Sequence, residues 1–153
     1  MDSLNASLGG IQIVSPGKAD KVTIGRHQLE LTANDPADQW FFGIVEVPDG
    51  EGPPMHAHAW DELFYVLDGE VDLIGEGGSS RVGAGTFAAA PRGVLHTFKG
   101  ASKGITRFIT FSTPGGADMA FRQLEKLTAQ GLSYEELGKA VMPYFMRQVP
   151  RSS

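Results

Sequence analysis

Through its first three quarters, the chain alternates short apolar runs with clusters of Gly, Pro, Asn and Asp. Runs of about four to eight β-branched, aromatic or alternating apolar residues between such clusters are typical of strands. The strongest run, residues 39–47, has apolar side chains at both parities and predicts a strand that is covered on both faces. Many short strands with regular turn signals predict an all-β sandwich or barrel. Further strands are predicted at 11–14, 21–32 with a break near Gly25, 61–67, 70–75, 80–82, 86–90, 94–99 and 105–112.

Three clusters of turn-forming residues divide these predicted strands. Residues 34–38, rich in Asn, Asp and Pro, form the first predicted turn. Asp68-Gly69 is a hairpin signal, because Asp-Gly favours the tight turns that join two antiparallel strands. Residues 76–80 form a second tight turn. The sequence therefore predicts hairpins on both sides of the strand at 70–75.

After residue 113 the apolar period changes to the spacing of a helix. Apolar residues recur there at the spacing of one helix face and predict a first helix: Met119, Ala120, Phe121, Leu124 and Leu127. Gly131 follows where a helix-ending glycine belongs. Ser133 and Glu136 match a capping box, which predicts the start of a second helix. That helix is expected to run to about Met142 and to end or kink at Pro143, because proline lacks the backbone N–H that the helix needs.

The bulk properties fit a single domain over residues 1–153, with a barrel core at about 21–113 and a helical segment at about 115–147. A net charge of −5 without a basic run argues against nucleic acid or an anionic membrane as partner. The chain has no cysteine, which excludes disulfides and thiolate chemistry. Neither a signal peptide nor an apolar run of about 20 residues is present, so we expect a cytoplasmic protein.

The candidate chemistry is concentrated in residues 50–69. His56 and His58 stand one residue apart, and Glu62 follows four residues later. In extended chain the two imidazoles point to the same face, and Glu62 shares their parity. Two imidazoles and a carboxylate are three ligands for a divalent transition metal. His96 is the candidate for a fourth ligand.

Two stretches of the chain resemble the two sequence motifs of the cupin superfamily. The first motif matches at Gly50, His56, His58, Glu62 and Gly69, and the second at Gly85, Pro91, Gly93 and His96. The family often ends the second motif with Asn, where this chain has Gly100. The resemblance covers about residues 39–113 and implies an antiparallel double-stranded β-helix, or jelly-roll barrel, with a metal site inside. With its two C-terminal helices, the chain is similar to small bacterial cupins grouped with quercetin-dioxygenase-like proteins.

In such a cupin, His56, His58, Glu62 and His96 would hold one divalent metal, with Fe, Mn, Ni, Cu and Zn all compatible. The resemblance implies a dioxygenase-type oxidoreductase that acts on a small phenolic or enolisable substrate, with Glu62 as the catalytic proton acceptor. Two alternatives remain. One is a non-oxidative polyketide cyclase or isomerase that uses Zn as a Lewis acid, and the other is a binding protein without catalysis.

Strand parity suggests which residues line the barrel. Phe64 and Val66 share the face of Glu62, Phe98 shares that of His96, and Phe42 or its neighbour comes from the preceding strand. This mainly apolar lining favours a flat or hydrophobic organic ligand.

Two residues near these motifs are expected to play no part in the site. His27 lies outside both motifs and is expected to be a surface histidine, and Arg92 is expected to be a solvated loop residue. Exposed apolar strands in barrels of this kind pair between subunits, so a homodimer is expected.

Overall fold

The computed structural model describes residues 6–34 and 39–145 of the chain. In this part the strands are β1 (Ala6–Leu8), β2 (Ile11–Ile13), β3 (Asp20–Ile24), β4 (His27–Asn34), β5 (Phe41–Pro48), β6 (Asp61–Asp68), β7 (Glu70–Gly75), β8 (Gly78–Gly83), β9 (Phe87–Ala90), β10 (His96–Gly100) and β11 (Ile105–Thr113). The helices are α1 (Ala117–Ala129) and α2 (Tyr134–Phe145). Neither is long and apolar enough to cross a membrane. Residues 35–38 of the first predicted turn lie outside the described residues.

The strands form antiparallel sheets in which some neighbouring strands follow each other in sequence and others come from distant parts of the chain. Six strands make one sheet in the order β3-β4-β5-β11-β6-β9, and three make a second in the order β10-β7-β8. Strands β1 and β2 pair with each other. The predicted break near Gly25 is confirmed, since this glycine has a φ of 62° between β3 and β4. The arrangement confirms the predicted jelly-roll fold with two C-terminal helices.

The inner face of the larger sheet packs against the helices in a single core. Along β5, Phe41, Val45 and Val47 are buried, whereas Phe42 and Ile44 on the opposite face are only half-buried. The prediction that both faces of this strand are covered is therefore only half right. The helices contribute the core residues Ala117, Ala120, Leu127, Val141 and Phe145. Burial of each large apolar side chain in such a core contributes about 1.5–3 kcal/mol.

The turn at Asp68-Gly69 joins the two sheets, so the prediction of a hairpin there is wrong. Strand β6 pairs with β11 and β9, whereas β7 pairs with β10 and β8. Gly69 has a φ of 78°, and a Cβ atom there would come within 2.9 Å of Ser102 and Thr106 side-chain oxygens. Glycine thus lets the chain pass from one sheet to the other within one residue. A turn does join β7 to β8 as predicted, but it is shorter than the predicted 76–80, because residues 78–80 already belong to β8.

Both predicted helices are present, and the second is longer than expected. Ser133 and Glu136 form the predicted capping box, with backbone-to-side-chain hydrogen bonds of 2.9 and 3.3 Å. Helix α2 does not end at Pro143, where an end or a kink was predicted, but continues to Phe145. The missing N–H of proline falls in the last turn, where one lost hydrogen bond is tolerated. Burial of Phe145 and a hydrogen bond from the Ala59 N–H to its carbonyl (2.9 Å) hold the additional residues.

Candidate metal centre

The segment between Gly50 and His56 runs beside β10 and brings the two motifs together. The N–H of Gly50 donates a hydrogen bond to the carbonyl of Gly100 (2.8 Å), and the N–H of Gly100 donates one to the carbonyl of Glu51 (2.9 Å). Further along, His56 and His96 exchange two backbone hydrogen bonds of 3.0 and 2.9 Å. Residues paired in this way have adjacent side chains. Histidines forty residues apart in sequence therefore become neighbours.

This close approach of two backbones requires glycine at two positions. A Cβ atom at Gly52 would overlap with the carbonyl group of Phe98, and one at Gly100 would overlap with that of Pro48. Any side chain at either position would push the two segments apart. The packing therefore explains why this chain has glycine at position 100, where the cupin motif often has Asn.

The structure brings the three predicted histidines together. The imidazole centroids of His56 and His96 are 4.8 Å apart, those of His58 and His96 are 4.9 Å apart, and those of His56 and His58 are 5.7 Å apart. One ring nitrogen from each lies within 4.8 Å of the others. His58 and His96 are buried and His56 is partly buried. The cluster could hold one metal ion.

Backbone carbonyls determine which nitrogen of each ring faces the cluster. The Nδ1 atoms of His56, His58 and His96 lie 3.0, 2.8 and 2.8 Å from the carbonyl oxygens of Pro54, Trp60 and Val94, respectively. A carbonyl oxygen can only accept, so each Nδ1 carries the proton. In the neutral rings Nε2 then has a free lone pair, as metal ligation requires. The donor set therefore fits a divalent transition metal.

Glu62 lies beside two of these nitrogens. Its Oε2 is 2.8 Å from Nε2 of His58 and 3.3 Å from Nε2 of His96, and the hydroxyl of Thr110 donates to its Oε1 at 2.8 Å. A carboxylate and an imidazole lone pair at such a distance must share a cation, either a proton or a metal ion. Burial raises the pKa of Glu62, but its interactions with His58, His96 and Thr110 outweigh burial and bring the pKa to about 2. The role of Glu62 as a fourth ligand stays a prediction.

The other ionisation states follow from burial and from Glu62. Burial lowers the pKa of His56, and this exceeds the opposite influence of the Pro54 carbonyl. Burial also lowers the pKa of His96, but hydrogen bonding to Glu62 outweighs it and the net shift is upward. The lowered pKa of His56 favours the neutral ring that metal binding requires, whereas the raised pKa of His96 favours a proton with which a metal would compete.

A cavity of about 440 Å³ lies over the histidine cluster. Its walls come from β3, β4, β5 and β10, from the segment that carries His56, and from both helices. The lining is mostly apolar and includes Ile24, Leu29, Val45, Phe121, Leu124 and Val141. The size and the apolar character fit a small organic molecule.

Of the four predicted substrate contacts, Phe98 lines this cavity. Phe64 and Val66 do share the inner face with Glu62, but they are buried in the core below the histidines, and Phe64 packs on Phe108 at 5.8 Å between ring centroids. Phe42 lies on the opposite face of β5 from Phe41. Within the described residues, the lining therefore supports Phe98 and not the other three, because parity identifies a face but not its open part.

His27 was expected at the surface, but the structure places it in the cavity wall. Its side chain is only 12% exposed, and its Nε2 has no hydrogen-bond partner within the described residues. Burial lowers the pKa of this imidazole, more than the Glu51 carboxylate raises it. The signal for this position was present in the sequence, because His27 has the same strand parity as the core residues Leu29 and Leu31.

Helix α2 adds a residue to the site from outside both motifs. The ring of Phe145 lies 6.0 Å from that of His56 and 5.4 Å from that of Trp60, between centroids. Trp60 in turn stacks on His58 at 4.4 Å and 8° between planes. The two aromatic rings therefore cover the histidines on the side of α2 and shield them from water.

The bend before His96 is held by an ion pair. Arg92 makes two side-chain hydrogen bonds to the carboxylate of Asp61 and a third from its backbone N–H. These hydrogen bonds lower the pKa of Asp61 to about 2. The N–H of Gly93 donates to the carbonyl of His58 at 2.8 Å. The Arg92 side chain is exposed, as expected. Its hydrogen bonds to Asp61 also hold the bend against the segment that carries the histidine motif.

Comparison with protein families finds a match over residues 43–112 to the family described as Cupin domain. Among curated proteins, quercetin 2,3-dioxygenase of Bacillus subtilis is 27% identical over 106 residues. That alignment covers 67% of this chain but only 31% of the Bacillus enzyme. The chain therefore spans about a third of the length of the curated relative that it matches.

Solved structures of similar fold include KdgF from Halomonas sp., with a TM-score of 0.63 and 21% identity over 70% of this chain and 98% of that one. The polyketide cyclase RemF from Streptomyces resistomycificus has a TM-score of 0.61 and 23% identity, over 68% of this chain and 80% of that one. At such identities the likeness shows the fold alone.

Proposed function

Since this chain is a small protein of the cupin superfamily, we propose that it is a metal-dependent oxidoreductase of the dioxygenase type. Its substrate would be a small phenolic or enolisable organic molecule. One observation carries this proposal: three imidazoles, each with Nδ1 hydrogen-bonded to a backbone carbonyl, form one cluster, and two of them, His56 and His58, line an apolar cavity. The local similarity to quercetin 2,3-dioxygenase supports the same reaction class.

His56, His58 and His96 would hold the ion, with Glu62 beside them as the proposed fourth ligand. Fe, Mn, Ni, Cu and Zn all accept this donor set. When bound, such an ion supplies Lewis acidity toward a substrate oxygen and, if it is redox-active, a path for electrons to dioxygen. The apolar walls of the cavity would orient the ring of the substrate and exclude water.

Glu62 would accept the proton of the substrate hydroxyl. Its carboxylate is ionised near neutral pH, and Thr110 orients it through Oε1. His58, His96 and Thr110 together hold its pKa low, against the opposing influence of burial. If the carboxylate moved away from these partners, burial would raise its pKa toward values that suit a general base.

The test combines metal analysis with oxygen uptake. We expect the natively purified protein to contain close to one transition-metal ion per chain. Alanine at His56, His58 or His96 should weaken metal binding by about 10- to 100-fold or more. His27→Ala serves as a matched histidine control that keeps its metal. Aerobic incubation with a panel of flavonols and 1,3-diketones should consume oxygen only with the metal-loaded protein.

Either of two results would contradict the proposal. The first is wild-type metal content in all three alanine variants. The second is absence of substrate-dependent oxygen uptake with Fe, Mn, Ni or Cu across the panel.

A second candidate is a non-oxidative cyclase or isomerase. The same donor set accepts Zn, and Glu62 with Thr110 could transfer a proton without any redox step. A solved structure of similar fold is that of a polyketide cyclase, so this architecture accommodates a cyclase. A zinc-only protein that ignores oxygen but cyclises a polyketone would establish this function. Release of an unchanged organic ligand from the purified protein would instead indicate a binding protein.

A further inference from the structure

A second polar group lies in the same cavity, away from the histidine cluster. The ring of His27 is 6.4 Å from that of Phe98, between centroids, and both line the cavity. Phe98 lies two residues beyond His96 in β10, a rise of about 6.6 Å. Glu51, which faces His27, is bonded through its backbone to Gly100, still further along the strand. His27 therefore lies beside Phe98, on a part of the cavity wall that is displaced along β10 from the histidine cluster.

The imidazole of His27 is prepared for hydrogen bonding but lacks a partner within the described part of the chain. Its Nε2 is closed off from bulk solvent, and the Glu51 carboxylate is 4.0 Å away, beyond hydrogen-bond distance. A buried polar group without a partner has lost its hydrogen bonds to water without replacing them, which destabilises the folded state. In contrast to His27, each of the three histidines in the cluster has a hydrogen bond from its Nδ1 to a backbone carbonyl. A ligand group that supplied the missing hydrogen bond would recover that stability.

The surroundings favour a neutral hydroxyl as that ligand group. Glu51 would repel a carboxylate or phosphate, and Arg26 already donates to Glu51 at 2.8 Å while 70% of its side chain is exposed. The facing Glu51 carboxylate favours the tautomer of His27 with the proton on Nε2, and an amine could donate to Glu51 but could not accept from that Nε2–H. A hydroxyl does both, and an oxygen about 2.8 Å from each partner is compatible with their 4.0 Å separation.

We propose that His27 and Glu51 form a second recognition site, which binds a hydroxyl group at the end of an aromatic substrate opposite its metal-binding end. The hydroxyl would accept a hydrogen bond from Nε2–H of His27 and donate one to the Glu51 carboxylate. Phe98 and the apolar walls would contact the ring between the two ends. The choice of an aromatic chelator rests on the proposed function, whereas the His27–Glu51 pair stands on its own geometry.

The experiment compares flavonols that differ by a single hydroxyl. The probes are 3-hydroxyflavone, which carries only the chelating pair of oxygens, and its 3,7- and 3,4′-dihydroxy analogues. Dissociation constants are measured with Zn²⁺-loaded protein without oxygen, from the absorbance change of the flavonol. For the wild type we expect one dihydroxy analogue to bind at least about tenfold more tightly than 3-hydroxyflavone.

Variants at the pair should remove this preference selectively. His27→Phe and Glu51→Gln are expected to bind all three flavonols within about threefold of one another. Thr128→Val, which removes another hydroxyl from the cavity wall, should keep the preference. Metal content and melting temperature identify any variant that does not fold, and His27→Gln replaces His27→Phe in that case.

The inference is overturned if wild type binds the three flavonols equally or binds none. It is also overturned if the preference survives in both His27→Phe and Glu51→Gln. These outcomes are independent of turnover. A preference without oxygen uptake would refute the proposed oxidation and leave the second site standing, and oxygen uptake without a preference would do the reverse.

Discussion

At the scale of single residues, the same hydrogen bond occurs in all three histidines of the cluster. In each, Nδ1 donates to the backbone carbonyl of a residue two positions away in sequence, namely Pro54, Trp60 or Val94. The protonation pattern of each ring is therefore set locally, by the path of its own backbone. Convergence of the three Nε2 atoms is set separately, by the pairing of distant segments. The two requirements meet where His56 and His96 exchange backbone hydrogen bonds.

The pairing depends on Gly100, and replacing this residue tests that dependence. We expect Gly100→Asn, which restores the residue common in the family motif, to destabilise the protein by about 1–3 kcal/mol, because the new Cβ would overlap with the Pro48 carbonyl. Metal affinity should fall with it, since His56 and His96 would separate. Urea denaturation and metal titration measure both effects.

Gly104→Ala is the matched control. This glycine has no positive φ, and a Cβ atom added to it would meet no atom beyond its chain neighbours within 4 Å, so alanine should change stability by less than about 0.5 kcal/mol. Equal stability of Gly100→Asn and Gly104→Ala would contradict the close-approach argument.

At the scale of elements, the two helices complete a site whose candidate ligands all come from the β-domain. Helix α2 lies across the mouth of the barrel, with Phe145 against His56, Trp60 and Phe121. The helix end is fastened there by the hydrogen bond from Ala59. The helices thus supply part of the apolar cavity wall and shield the histidines from solvent.

Phe145→Ala tests this role of α2. The side chain is 9% exposed, and its truncation should cost about 3–5 kcal/mol in unfolding free energy, through lost burial and a residual cavity. We also expect weaker binding of 3-hydroxyflavone, because water gains access to the cluster. Chemical denaturation and the flavonol titration provide the measurements. Met119→Ala, at a 44% exposed position on α1, is the control and should have little effect on either. Unchanged stability and binding in Phe145→Ala would show that α2 does not close the site.

At the scale of the whole molecule, the outer face of the larger sheet carries a row of apolar side chains. Tyr65 in β6 pairs in register with Phe87 in β9 and with Ile109 in β11, so these side chains form a row across three strands. Phe87 is 63% exposed and Tyr65 is 43% exposed. Exposed apolar surface of this kind is typical of a protein contact.

The homodimer stays a prediction, and this row of side chains is its proposed interface. Phe87→Lys should shift the protein toward monomer, because a buried unpaired charge opposes association. Light scattering coupled to gel filtration over a range of concentrations provides the measurement. Met119→Lys is the control, since it adds the same charge on helix α1. A wild-type protein that stays monomeric at every concentration would remove the basis for this interface.

The sequence by itself determined the elements and the ligand candidates. Alternation and turn residues located the strands from β2 onward but not β1. Helical spacing and the Ser133–Glu136 capping box located α1 and α2. Motif spacing identified the candidate ligands His56, His58, Glu62 and His96. These features are local or have a fixed spacing, so a single chain reveals them. His27 could also have been assigned to the inner face, because it shares the parity of Leu29.

Only the tertiary structure decided what depends on contacts between distant segments. It showed that Asp68-Gly69 joins two sheets, that α2 continues past Pro143 because Phe145 is buried, and that His27 faces the cavity. It also separated Phe98, in the open part of the inner face, from Phe64 in the filled part. Periodicity assigns a side chain to a face, but whether space remains in front of it depends on what packs there, and that is set by the whole fold.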